Sequence, residues 1–196
     1  MVDALCHELE IRKDYLGNQP IETIYFGGGT PSILLPEELT QLLTTVHTYF
    51  DTSLLSEVTM EANPDDITPE NITFWKTSGI NRLSIGLQSF KQSDLNWMNR
   101  AHTVEESYSC VAMAIQNGIE NLTVDLIYGL PGLTNEEWIH HIETVIKMGV
   151  QHVSAYCLTV EEGTALDTFV EKGKIIFKHI GPINEDVVNK ILQLKK

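Results

Sequence analysis

The residues best suited to chemistry are three consecutive glycines and a few polar side chains placed where apolar runs end. Gly27, Gly28 and Gly29 follow the run Ile24-Tyr25-Phe26 and lead into Thr30-Pro31-Ser32. Adjacent glycines cost backbone entropy and supply no side chain, so the chain there needs either unusual backbone angles or the close approach of a second object. That object would be a ligand touched by bare amides and carbonyls. The alternative is a plain tight turn between a strand and a helix. Two phosphate readings fail on detail: no Gly-Lys-Ser/Thr is present, and the glycines are not spaced as in a dinucleotide fingerprint. Further along, Glu61 and Asp125 stand in apolar strand-like runs, Gln88 closes another, and Thr159 lies near the end of a fifth. A carboxylate in such a run is costly unless it is hydrogen-bonded or paired. Glu61 and Asp125 therefore call for a backbone amide, a basic residue such as Arg82 or Arg100, or a ligand. Two carboxylates, an amide and a glycine run on one rim favour a polar ligand that brings hydroxyls and an ammonium group. They do not read as a general acid/base pair, because nothing near them marks a labile bond.

The elements that must position these residues are legible as a repeat. Gly79-Ile80-Asn81-Arg82-Leu83-Ser84, Gly118-Ile119-Glu120-Asn121-Leu122-Thr123 and Gly149-Val150-Gln151-His152-Val153-Ser154 share one pattern. Each reads as a helix ending in a C′ glycine, then an apolar C″ residue, then a strand. Capping boxes open the intervening helices at Thr103/Glu106 and Thr134/Glu137. Residues 2 to 16 and Pro36 to Phe50 carry helical spacing, and Thr68-Pro69 starts another helix. Gly17 and Asn18 stop the first. Strands are expected at 21–26, 57–61, 83–88, 122–128 and from 153. Successive β/α units imply a parallel sheet with outer helices, and ligands in such folds bind at the carboxyl ends of the strands. An open doubly wound sheet and a barrel both fit. About five strands are too few to close an eight-stranded barrel, so the fold class is α/β, an incomplete TIM-like barrel with strands in sequence order. The core is expected over residues 1–172. Residues 173–196 hold a Gly-Pro break and a polar helix, Asn184 to Leu194, of unknown placement.

At 196 residues with 42% hydrophobic composition, one sizeable core is expected. The formal net charge of −14 argues against nucleic acid, whose phosphates need a basic surface. No run is long and apolar enough to span a bilayer, and the first residues do not read as a signal peptide. Cys6, Cys110 and Cys157 are too far apart to form a metal-spaced pair or a disulfide framework, which suits a reduced, cytoplasmic setting. Cys157, in an apolar run, reads as a core residue. The seven histidines match no metal spacing and read as surface or satisfied residues. Trp75, Trp97 and Trp138 read as helix packing residues.

Five stretches in order carry a resemblance: Tyr25-Phe-Gly-Gly-Gly-Thr-Pro-Ser32, Met60-Glu-Ala-Asn-Pro64, Arg82-Leu-Ser-Ile-Gly-Leu-Gln-Ser-Phe90, Asn99-Arg-Ala-His-Thr103 and Asp125-Leu-Ile-Tyr-Gly-Leu-Pro-Gly132. Over about residues 1 to 172 the chain resembles the radical S-adenosylmethionine (SAM) family of oxygen-independent coproporphyrinogen III oxidases and their haem-chaperone relatives. The resemblance implies a partial (β/α)6 barrel in which a [4Fe-4S] cluster on a Cys-x3-Cys-x2-Cys loop reduces SAM to a 5′-deoxyadenosyl radical. The oxidases decarboxylate two propionates of coproporphyrinogen III; the chaperones bind haem and pass it to haem proteins. By position, the resemblance implies SAM contacts from Gly28, Gly29, Thr30, Glu61, Gln88, Arg100, Asp125 and Thr159. Glycine carbonyls suit the methionine ammonium, Arg100 suits its carboxylate, and the carboxylates with Gln88 suit ribose hydroxyls or the ammonium.

The chain departs from the family in one respect above all: it contains no Cys-x3-Cys-x2-Cys. In the family that loop precedes the helix that here opens at Met1, and a further domain follows the barrel. The expectation is a fragment lacking the first strand, the cluster loop and the C-terminal domain, and radical chemistry is not expected of this chain alone. The motifs at 100–103 and 130–134 look more like the chaperone branch. The oxidase and an inactive β/α fragment are the alternatives. Expected ligands are SAM and, through the chaperone branch, haem, with haem-accepting proteins as partners. A missing first strand would also leave a sheet edge open to self-association.

Overall fold

The computed structural model describes residues 1–17 and 19–175. Asn18 and the helix expected over Asn184 to Leu194 lie outside the described residues. Five strands, β1 (Thr23–Phe26), β2 (Glu57–Ala62), β3 (Arg82–Gln88), β4 (Asn121–Tyr128) and β5 (His152–Cys157), form one sheet in sequence order. Every pairing is parallel, and the sheet curls into a half-barrel, as expected. Among the described residues β1 and β5 are its edges. The helices are α1 (Val2–Ile11), α2 (Pro36–Tyr49), α3 (Pro69–Thr77), α4 (Gln92–Trp97), α5 (Val104–Gln116), α6 (Asn135–Lys147) and α7 (Ala165–Glu171).

The repeat has the backbone chemistry its sequence implies. At the end of α3, Gly79 takes φ +98°, its N–H donates to the Lys76 carbonyl, and the Ile80 N–H reaches back to Trp75. Gly118 and Ile119 repeat this after α5, and Gly149 and Val150 after α6. Each Schellman turn satisfies carbonyls that the helix leaves orphaned and aims the chain into the next strand. Ile80 and Ile119 are buried at these corners. Both capping boxes form: Thr103 Oγ1 accepts from the Glu106 N–H while Glu106 accepts from the Thr103 N–H, and Thr134 with Glu137 does the same.

Strand alternation divides the sheet into two unlike faces. Val58, Met60, Leu83, Ile85, Leu87, Leu122, Val124 and Leu126 point to the convex face, where they pack with Leu39, Ile72, Trp75, Val111, Ala114 and Val145 of the outer helices. The intervening positions, Glu57, Thr59, Glu61, Arg82, Ser84, Thr123 and Asp125, make the concave face polar.

Several expectations need correction. The first α-helix ends at Ile11, and residues 12–17 continue as tighter turns closed by the Tyr15 N–H to Arg12 and the Gly17 N–H to Asp14. Those residues are exposed, so no tertiary contact extends the helix. Cys157 is half-buried, not core, because β5 lacks a neighbour on its far side among the described residues. His141 is buried, with Nδ1 unpartnered, between the rings of Phe90 and Trp138. Burial drives its pKa down to about 4. His102 is buried but satisfied, its Nε2 lying 3.2 Å from the Leu87 carbonyl.

Candidate functional site

Three glycines in a row are needed for two separate reasons. Gly28 and Gly29 adopt φ +77° and +66°, and a Cβ on either would meet nothing, so the backbone angle alone favours glycine there. Gly27 has no positive φ. A Cβ on it would lie 2.6 Å from Tyr25 Cε1 and 3.0 Å from Glu61 Oε1. The object that approaches Gly27 is thus the chain's own Tyr25–Glu61 pair.

Glu61, near the end of β2, holds the glycine turn. Its Oε1 accepts from the Tyr25 hydroxyl at 2.8 Å and its Oε2 from the Gly28 N–H at 3.0 Å. Asp125, on β4, is less well satisfied. Ser84 Oγ lies 3.4 and 3.5 Å from its two oxygens. Burial holds the Asp125 carboxyl above the usual carboxylate range; the nearby hydroxyl of Ser154, its register partner, works against this, and the charge of Glu61 raises it further. Burial and the bond to Glu61 likewise raise the Tyr25 phenol.

Gln88 ends β3 at φ +68°, a left-handed conformation rare for a residue with a side chain, beside an irregularity in the β3–β4 register. Its amide folds back so far that a Cβ on Gly86 would lie 2.7 Å from Nε2. Arg100 is presented by a Schellman turn in which Asn99, at φ +55°, replaces glycine. The Asn99 N–H donates to the Asn96 carbonyl and the Arg100 N–H to the Leu95 carbonyl. Among the described residues Arg100 enters no ion pair. Arg82 cannot serve Glu61 or Asp125, because it is engaged at the other end of the concave face with Glu57 at 3.0 Å and Thr123 at 2.6 Å.

These groups surround a cleft of about 300 Å³ at the carboxyl ends of the strands, lined by Gly29, Thr30, Glu61, Gln88, Arg100 and Asp125 together with Ser84, Gly86 and Tyr156. Of the residues singled out from sequence, Gly28 sits behind the lining, bonded to Glu61. Thr159 lies two residues beyond β5, exposed, and donates to Glu161 rather than facing the cleft. Tyr25, Ser84, Gly86, Ser154 and Tyr156 were not singled out. Period-two counting could have found them: Tyr25 lies two residues before Gly27, and Ser84 and Gly86 lie four and two before Gln88.

The model of the radical SAM superfamily matches residues 7–145. The chain belongs to the radical SAM superfamily. It is 37% identical over 172 residues to the heme chaperone HemW of Mycobacterium tuberculosis, covering 88% of this chain and 44% of that protein. With the heme chaperone HemW of Lactococcus lactis it shares 40% identity over 146 residues, covering 74% and 38%. The solved coproporphyrinogen III oxidase HemN of Escherichia coli superposes with a TM-score of 0.76 at 25% identity, covering 98% of this chain and 43% of that one. The chain therefore spans less than half the length of these relatives.

The cleft suits SAM in its donors and acceptors: carboxylates for an ammonium or hydroxyls, a guanidinium for a carboxylate, and glycine backbone. A cluster would need converging thiolates. Cys6, Cys110 and Cys157 lie on α1, α5 and β5, and burial pushes the Cys110 thiol up to about 12. Among the described residues no group of three His, Cys, Asp or Glu side chains could hold a metal ion. These residues fit SAM and do not fit an iron–sulfur cluster. No helix among them is long and apolar enough to cross a membrane.

Proposed function

We propose that residues 1–172 are the SAM-binding core of a haem chaperone-type protein. The supporting observation is the convergence of Arg100, without an ion-pair partner among the described residues, with two carboxylates, an amide and a left-handed glycine turn on one 300 Å³ cleft. Arg100 takes the SAM carboxylate as a bidentate donor. Asp125 has the looser hydrogen bonds and takes a ligand donor, an ammonium or a ribose hydroxyl; Gln88 supplies an amide beside it. Glu61 shapes the glycine turn and offers its remaining lone pairs. Haem, haem-accepting proteins and a cytoplasmic setting come with the chaperone reading, which the similarity to HemW supports. Self-association uses the edge of β1, unpaired among the described residues, which borders an apolar groove lined by Leu5, Leu9, Ile24, Phe26 and Val46.

Titration calorimetry of the intact protein with SAM tests the reading. Arg100→Met weakens binding by about 1.5–3 kcal/mol, the worth of a charged hydrogen bond; unchanged affinity overturns the assignment. A coproporphyrinogen oxidase is the second reading, favoured by the superposition on HemN. Turnover of coproporphyrinogen III by the intact protein with SAM and reductant would establish the oxidase, and haem binding without turnover the chaperone.

A further inference from the structure

The Tyr25 hydroxyl is bound to Glu61, and Glu61 is bound to the amide of the second glycine. This chain of contacts has a direction. A carboxylate at a strand end can rotate, and rotation of Glu61 would release the Gly28 N–H. The Tyr25 hydroxyl removes that freedom by fixing Oε1, so that Oε2 faces the turn. Its ring lies so close to Gly27 that a Cβ there would have to push the ring aside. The ring itself is not a core element, because Tyr25 is 55% exposed. Ser84 and Asp125 lie near the same hydroxyl, so Tyr25 stands where the two carboxylates of the cleft come together.

We propose that Tyr25 is a positioning residue for the cleft: its hydroxyl orients Glu61, and Glu61 thereby holds the glycine turn in its ligand-ready, left-handed shape. The inference rests on the SAM-binding reading for its ligand, but not for its geometry. A pre-organised turn spares the ligand the cost of ordering Gly28 and Gly29, whose unrestrained backbones lose more freedom than any other residue's.

The test uses the intact protein and the substitution Tyr25→Phe, which keeps the ring against Gly27 and deletes only the hydroxyl. Amide hydrogen exchange in ligand-free protein is the first readout. Protection of the Gly28 N–H is expected to fall in Tyr25→Phe, while the Leu83 and Val124 amides on the neighbouring strands stay unchanged. Calorimetry with SAM is the second. Affinity is expected to fall roughly five- to tenfold, less than the full worth of a hydrogen bond to a charged group, because Tyr25 acts on the ligand only through Glu61. Tyr25→Phe added to Glu61→Ala is expected to cost nothing further, whereas added to Asp125→Asn it should cost its full share. A merely structural role would not produce that difference. Unchanged Gly28 exchange overturns the proposal whether or not SAM binds. SAM failing to bind wild-type protein, with Gly28 exchange responding as expected, overturns the ligand assignment and leaves the positioning role standing.

Discussion

The convex and concave faces of the sheet are built from alternate residues of the same strands, yet they are held by different forces. On the convex face Leu83, Ile85, Leu87, Leu122, Val124 and Leu126 are fully buried under the helices. Each methylene there contributes by leaving water. The concave face carries Glu57, Thr59, Glu61, Arg82, Ser84, Thr123 and Asp125 in layers. Its lower layer is self-sufficient: Arg82 bridges Glu57 and Thr123, while Thr59 and Asn121 also donate to Glu57. Its upper layer holds two carboxylates, and among the described residues neither these nor Arg100 at the rim enter an ion pair. Stability is thus concentrated outside the curve, charge balance at its base, and unused binding capacity at its mouth.

The comparison is broken most severely from the convex side. Ile85→Ala should destabilise the fold by about 2–5 kcal/mol, because it opens a cavity where the residue has no exposed surface. Urea unfolding measures this; a loss below 1 kcal/mol, about the cost of a milder Ile→Val change, would show that the outer face is not where stability resides.

The buried His141, on the outer helix α6, gives that face a pH dependence. Its pKa is about 4 when folded, against about 6.5 when unfolded. The unfolded chain takes up the proton first as pH falls, so the stability is complete above pH ~6.5 and is lost progressively toward pH ~4. The loss is on the order of 3 kcal/mol. His140 and Glu137 of the same helix, and Lys91 across from it, are the charged groups that face the ring. Unfolding curves of His141→Phe should lack this acid limb, and a persisting limb would assign it to other groups.

On the concave side, Arg82→Met should destabilise by about 2 kcal/mol, below the usual cost of breaking a fully buried pair because Arg82 and Glu57 retain some solvent. Ligand affinity should barely change, since Arg82 lies in the other layer. A large affinity loss with intact stability would merge the two layers into one site.

Asp125→Asn should do the opposite. An Asp125 pKa raised in the folded state means that the ionised carboxylate costs stability as pH rises from the unfolded pKa through the folded one. Removing the charge should therefore leave stability at neutral pH unchanged or slightly higher. Affinity for SAM should fall by about 1 kcal/mol or more, and the wild-type affinity should decline as pH falls through the raised pKa while the variant's does not. A pH-independent wild-type affinity across that window would remove Asp125 from the ligand contacts.

Much of this molecule was readable residue by residue. The Gly79, Gly118 and Gly149 turns, the two capping boxes and the parallel order of strands rest on local chemistry: a left-handed C′ position, a hydroxyl opposite an N–H, and helical periods between short apolar runs. Positions at strand ends singled out Glu61, Gln88 and Asp125, with Arg100 as a possible partner, and the family motifs added the expectation that they contact SAM. Other features rest on contacts between residues far apart in sequence, which no local pattern encodes. Arg82 and Arg100 were equal candidates as partners for the carboxylates until strand register placed Arg82 at the base and the Asn99 turn placed Arg100 at the mouth. The same holds for His141, whose unpartnered nitrogen follows from Phe90 and Trp138 closing around it. Sequence alone determined that three glycines interrupt the chain after Phe26 and that a backbone angle or a close neighbour must be the cause. Only the tertiary structure divided them, two by backbone angle and one by Tyr25 and Glu61, because an angle is a property of one residue, whereas the Tyr25 ring is held over Gly27 by its bond to Glu61 on the neighbouring strand, 36 residues from Tyr25.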